Sequence, residues 1–180
     1  MKVYTMELLT VNLKDCDEKY FRKVWELYEN SFPSEEKRTI NEQYIILEKE
    51  NYHAKVFIKD EDIVGILFFW DFIHHTFIEH FAINSILRGQ SYGSKILEDF
   101  LSKYKNCVLE IELIKDEITK KRFDFYNRFD FQINEHKHYQ VPFRKNSENL
   151  ELLLLSYKNK LTINEYQQLS TKMINSLTVI

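Results

Sequence analysis

Residues 88–94 read RGQSYGS, between AINSIL (82–87) and KILEDFL (95–101). The chain has only 3 glycines in 180 residues, where average usage of about 7% gives roughly a dozen. Two of them, Gly89 and Gly93, fall in this one stretch. The stretch joins a strand-like run ending near Ile83 to an amphipathic run starting near Tyr92. A turn into a helix start leaves backbone N–H groups without carbonyl partners, and the helix dipole adds partial positive charge. Glycine lets such a backbone curl closely around a phosphate, and Arg88 adds a full charge beside it. Neither GxxxxGK[ST] nor GxGxxG is present, which argues against a nucleotide triphosphatase or a dinucleotide-binding domain. The plainer alternative is a tight strand-to-helix turn.

The rest of the composition is that of an ordinary globular chain. Hydrophobic residues make up 44% and charged residues 29%, and the formal net charge of −3 gives no basic footprint for nucleic acid. Fourteen Phe and eleven Tyr can fill a substantial core. Cys16 and Cys107 stand alone, without CxxC or Cys/His partners, so neither a zinc site nor a disulfide framework is expected. The start lacks the apolar core of a signal peptide and no apolar run is long enough for a bilayer, so a cytoplasmic protein with no membrane partner is expected.

Periodicity predicts one domain over 1–180, with a core over 2–158 and a C-terminal helical extension over 159–180. Strands are expected at 2–11, 52–60, 62–72, 76–83, 107–113, 131–143 and 149–158. Asp15-Cys16-Asp17-Glu18 offers an N-cap at Asp15 with an acidic residue three positions on, and behind it Phe21, Val24, Trp25 and Tyr28 recur at helical spacing. Thr39-Ile40-Asn41-Glu42 and Thr162-Ile163-Asn164-Glu165 are capping boxes opening two more helices. Ile96, Leu97, Phe100, Leu101 and Tyr104 mark a fourth, and 118–129 a fifth, with Ile118, Phe125 and Phe129 on its stripe. Helices interleaved with strands imply an α/β fold: a central mixed sheet of six to seven strands, helices on both faces and an extra C-terminal helix.

The segment EHFAINSILRGQSYGSKIL (79–97) resembles the acetyl-coenzyme A signature of the GNAT superfamily, the Gcn5-related N-acetyltransferases. Ala82-Ile83 stands for its Ala-Val, and Arg88, Gly89 and Gly93 match, while Ser91 replaces a glycine. RFDFYNRFDF (122–131) resembles that family's FYEKLGF, with Phe125, Tyr126 and Phe131 in register and Asp130 in place of glycine. YQVPFR (139–144) and LELLLLSYK (150–158) resemble the end of a bacterial subgroup. The resemblance implies the GNAT fold and acetyl-CoA as co-substrate. The N–H groups of Gln90, Ser91, Tyr92, Gly93 and Ser94, with Arg88 and Gly89, would hold the pyrophosphate. The backbone of Phe81, Ala82 and Ile83 would pair with the pantetheine arm, the cofactor crossing splayed strands 76–83 and 107–113.

Acetyl transfer needs a free amine, a positioned thioester and a proton for the departing thiolate. Tyr126, about 100° round its helix from Phe125, is the candidate proton donor; the plainer reading is a tyrosine closing the core edge. Glu79 shares a predicted strand face with Phe77, Phe81 and Ile83, where desolvation would raise its pKa and suit it as a base. A carboxylate paired with a basic residue is the alternative. Glu110 and Glu112 share one face of the next strand and are rivals for that role, or contacts for a cationic substrate. His136 and His138 point to one side of a strand, but their spacing matches no common metal site, and no metal is expected. The leading reading is an N-acetyltransferase acting on a primary amine by direct attack, Tyr126 serving as general acid. The alternative is a non-catalytic acyl-CoA-binding sensor or assembly module. Aminoglycoside, polyamine, peptide N-terminus and lysine all remain open as acceptors, as does a homodimer.

Overall fold

The strand that organises the sheet is the run DIVGILFFWD, apolar on both of its faces. The computed structural model describes residues 7–143 and 149–178, and this run forms β3 (Asp62–Asp71), buried throughout its interior. Ile66, Phe68 and Trp70 project into one core and Leu67 and Phe69 into the other, as expected for a strand covered on both sides. β2 (Tyr52–Lys59) and β4 (Thr76–Ile83) flank β3 antiparallel, completing the expected meander. Asp60 and Glu61, with φ of 48° and 66°, form the two-residue turn between β2 and β3.

The other elements are β1 (Leu9–Asn12), α1 (Glu18–Ser31), α2 (Ile40–Leu47), α3 (Tyr92–Lys103), β5 (Cys107–Glu112) and α4 (Glu117–Asn127). They are followed by β6 (Phe131–Ile133), β7 (His138–Tyr139), β8 (Glu151–Tyr157) and α5 (Ile163–Leu177). The strands form one sheet in the order β1-β2-β3-β4-β5-β8-β6, with β7 also paired to β8. The sheet has 8 strands among the described residues, against the six to seven expected. The run 131–143 divides after Asn134, whose amide still donates to Leu154 O while its side chain bonds Leu154 O, Ser156 Oγ and the Leu161 amide. Of the strand expected over 2–11, positions 2–6 lie outside the described residues, as does Arg144.

Helices cover both faces. Val24 and Tyr28 of α1, Ile46 of α2 and Leu169, Met173 and Leu177 of α5 share one core with Phe68, Trp70, Phe77 and Leu154. Ile96, Leu97, Phe100 and Leu101 of α3 and Tyr126 of α4 share the other with Phe69, Ile78, Leu109 and Leu155. The capping boxes at Thr39 and Thr162 form as the sequence indicates, whereas α1 is capped by Asp17 and not Asp15, which closes a 3₁₀ turn over Leu13–Asp15. On α4 the expected stripe holds in part, with Phe125 and Phe129 packed against the core and Ile118 outside it. Ile118 is 70% exposed and Tyr126 is the buried residue, because the helix turns its last turn, not its first, into the sheet. No helix among the described residues is long and apolar enough to cross a membrane.

One ion pair ties the first face together. Arg38, between α1 and α2, donates from Nη1 to Glu79 Oε2 at 2.6 Å and from Nη2 to Glu79 Oε1 at 2.7 Å. Its Nη2 also donates to Leu177 O at the end of α5 at 2.8 Å, and its amide donates to Tyr28 Oη. Trp70 Nε1 of β3 adds a third bond to the Glu79 carboxylate at 2.9 Å. The two charged side chains are only 1% and 2% exposed. Removing one partner of a buried pair strands the other charge, at about 3–5 kcal/mol. Arg38→Ala is therefore expected to lower unfolding free energy in urea by that amount. Because the Glu79 carboxyl is held below its ordinary range, the stability it supplies is present above the unfolded carboxylate pKa and lost only as pH falls through the folded value. The wild-type contribution is thus undiminished at pH 5, whereas the stranded carboxylate of the variant is relieved by taking up a proton, so the deficit should be smaller at pH 5 than at pH 8.

Candidate active site

β4 and β5 run parallel but stay paired only through Thr76↔Cys107, Phe77↔Val108 and Ile78↔Leu109. Beyond these the strands part, and the β5-facing edge of Glu79–Ile83 has no ladder partner among the described residues. The gap opens into a cleft of about 770 Å³ whose lining reaches from Phe32 and Glu36 to the turn before α3. Phe81, Ala82, Ile83, Arg88, Gly89, Ser91, Tyr92, Gly93 and Ser94 all line it, as do Glu79, Glu110, Glu112 and Tyr126. Gln90 is exposed and lies outside the lining.

The start of α3 differs from every other α-helix start among the described residues. α1, α2, α4 and α5 each have a side-chain cap and an acidic residue in the first turn. α3 has neither: its N-cap Ser91 makes no side-chain cap bond. The first-turn amides and the positive dipole end are left for an external anion. The backbone reaches this position through two left-handed residues, Gly89 at φ 77° and Ser91 at φ 63°. Gly93 serves packing instead, since a Cβ there would sit 3.3 Å from Ile83 Cγ1 and 3.7 Å from Phe125 Cζ. Arg88 Nε donates to Ile83 O at 3.2 Å, which ties the turn to the end of β4.

Glu79 does not behave as the strand alternation predicts. Phe68 pairs with His80 while Phe69 pairs with Ile78, so Glu79 is the extra residue of a β-bulge. The bulge breaks the two-residue period: Phe77 faces the α1/α2/α5 core, whereas Phe81 and Ile83 face the other. The expected rise in pKa is reversed as well. Burial alone pushes the Glu79 carboxyl up, but the Arg38 guanidinium and the adjoining His80 outweigh it and hold the group well below the usual carboxylate range. A carboxylate committed to Arg38 and Trp70 is a poor proton acceptor.

A carboxyl that sequence reasoning passed over has the opposite character. Glu36 ends a 3₁₀ turn between α1 and α2 and lines the cleft. Burial, reinforced by Glu112, raises its pKa to about 7. His80 Nε2 donates to the Glu36 carbonyl at 2.7 Å, so β4 pins the turn that carries it. Nothing local marks this position: SEEKR after Pro33 reads as a solvated loop. Tyr126 is 8% exposed, and burial pushes its hydroxyl up to about 12, opposed by Arg122 and aided by Glu112. Glu112 pairs with Arg122 of α4, and Glu110 bonds His138 Nε2 at 2.5 Å. His136 is spent on Leu161 O. No group of three or more His, Cys, Asp or Glu that could hold a metal gathers among the described residues. Cys107 is buried, which lifts its thiol to about 12.

A mixed sheet split between two parallel strands, with an uncapped helix start at the mouth of the split, is the architecture of an acyl-CoA-dependent transferase fold. The profile of the Acetyltransferase (GNAT) family matches residues 18–131, and the chain belongs to that family. A GNAT-family protein of Bacteroides thetaiotaomicron superposes with a TM-score of 0.83 at 28% identity, over 96% of this chain and 99% of that one. Bacillus subtilis (strain 168) YjbC, provisionally named an acetyltransferase, is 30% identical over 103 residues, covering 56% of this chain. The match spans about half of that relative's length, 52%. A GNAT family acetyltransferase from Elizabethkingia anophelis, crystallised with acetyl-CoA bound, shares the fold at a TM-score of 0.57 and 15% identity, over 86% of this chain and 100% of that chain.

Burying Glu36 costs stability once it ionises. Its raised pKa means the native state holds a proton that the unfolded chain releases, so stability falls as pH rises from about 4.5 to about 7. Glu36→Gln is expected to raise the urea midpoint over wild type more at pH 8 than at pH 4.

Proposed function

We propose that the protein is an N-acetyltransferase that moves an acetyl group from acetyl-CoA to a primary amine by direct attack. The observation that carries this reading is the bare N-terminus of α3 at the mouth of the β4/β5 gap. Four helices spend side chains on their first-turn amides, and the one facing the cleft does not. A pyrophosphate held there directs the pantetheine arm along the unpaired edge of Phe81–Ile83, with Arg88 at its phosphate end. The thioester then lies in the gap, with Tyr126 on the α3/α4 side and Glu36, Glu110 and Glu112 among the groups reached from the other.

In this reading Glu36, not Glu79, takes the proton of the incoming ammonium, directly or through a water. A pKa near 7 suits a base working near neutral pH. Tyr126 donates its hydroxyl proton toward the departing thiolate. The desolvation that weakens the phenol as an acid also raises the proton affinity of a thiolate formed beside it, so the pair stays matched. Holding amine and thioester together supplies most of the acceleration. The chain then works as a soluble cytoplasmic enzyme needing no metal.

Calorimetric titration with acetyl-CoA tests the cofactor. Micromolar binding is expected, weakened at least tenfold by Gly93→Leu, whose side chain has no room against Ile83 and Phe125. Absence of binding in the wild-type protein would remove the transferase reading. With an accepted amine, thiol release should rise with pH through about 7 in the wild type and lose that limb in Glu36→Gln. Tyr126→Phe should lower kcat by about 10²- to 10⁴-fold, the usual range for a general acid, with acetyl-CoA affinity unchanged.

A further inference from the structure

The C-terminal helix reaches the cleft through one chain of hydrogen bonds. Glu110 is the first residue of β5 beyond its ladder with β4, and it lines the cleft. His138 of β7 brings Nε2 to 2.5 Å from Glu110 Oε1. A carboxylate only accepts, so Nε2 carries the proton. On the far side of the ring, Nδ1 lies 3.2 Å from the hydroxyl of Tyr166 on α5. That hydroxyl also lies 3.1 Å from Lys137 O. It can donate to Nδ1, or accept from it and give its own proton to Lys137 O. Nδ1 is therefore satisfied in either state of the ring, and the bond from Nε2 to Glu110 survives in both.

The chain is well fixed. The side chains of His138 and Glu110 are 3% and 11% exposed, and the Tyr166 ring stacks on His136 at 4.5 Å. Glu110 Oε2 has no protein partner among the described residues. A carboxylate that lines the cleft with one oxygen unengaged by the described residues is placed to accept from a cationic group entering it. The neighbouring carboxylates are already committed, Glu112 to Arg122 and Glu79 to Arg38. His138 and Tyr166 lie beyond residues 18–131, the stretch matched by the family profile.

We propose that Glu110 binds the ammonium group of a cationic acceptor and that His138 and Tyr166 position it, so that the C-terminal helix sets acceptor affinity. This rests on the transferase reading above. The test is histidine-selective ¹⁵N NMR of the full chain titrated with methylammonium chloride against sodium chloride at equal ionic strength. Methylammonium, and not sodium, should move the His138 ring signals in the wild type and leave them unmoved in Glu110→Gln. Tyr166→Phe should weaken the apparent methylammonium affinity about three- to tenfold, the loss of one hydrogen bond, with calorimetric acetyl-CoA affinity unchanged. A Tyr166→Phe protein with a lower melting temperature but unchanged methylammonium affinity would reduce the relay to a structural contact and overturn the positioning role. Acetyl-CoA binding without any methylammonium response overturns the ammonium site alone. A methylammonium response without acetyl-CoA binding overturns the transferase reading and leaves the ammonium site standing.

Discussion

The bidentate contact between Arg38 and Glu79 joins four separate parts of the chain at one buried point. Arg38 comes from the α1–α2 connection, Glu79 from β4, Trp70 from β3, and the carbonyl of Leu177 from the end of α5. None of these groups tolerates desolvation alone, so each requires the others in place. Lys49 donates to Ser176 O and so caps the same helix end a second time. The bulge at Glu79 follows from this constraint. A strand in strict alternation at this point would not present the Glu79 carboxylate to Arg38 and also put Phe81 and Ile83 on the α3 face.

The same pair explains why two carboxylates near one cleft have opposite acidity. Glu79 meets a guanidinium in a dry setting and stays ionised. Glu36 is desolvated beside Glu112 and holds its proton to about pH 7. His80 couples them physically, with Nδ1 3.4 Å from Glu79 Oε2 and Nε2 on the Glu36 carbonyl. The structural charge therefore orients the turn that carries the titratable one. It is a division of labour between neighbours on one sheet edge.

What could be read from the sequence was what depends on near neighbours in the chain. The strand expected at 52–60, the capping boxes at Thr39 and Thr162, and the glycine turn before α3 are all set by residues a few positions apart, and all stand in the fold. The β4/β5 split came into view only through the resemblance carried by residues 79–97. What escaped depends on distant partners. Glu79 and Arg38 are 41 positions apart, and Glu110 and His138 are 28. A polar run such as SEEKR gives no hint that its arginine is interior. The bulge likewise leaves no trace in composition, because Glu79 is as plausible on either face of an unbroken strand. Helical geometry alone puts Tyr126 off the core stripe, yet its side chain is buried in the core, with Phe125 and Phe129 packed against that core.

Left-handed backbone is common in this chain, but glycine is rarely used to make it. Asp60, Glu61, Ser91, Asp130 and Lys158 all take positive φ with a full side chain. Two of them, Ser91 and Asp130, stand where the family pattern has glycine. Gly89 is the single left-handed glycine among the described residues, and a methyl group built on it would meet no protein atom within 4 Å. The open space beside it means that a side chain at position 89 is disfavoured by the backbone conformation and not by any neighbouring group.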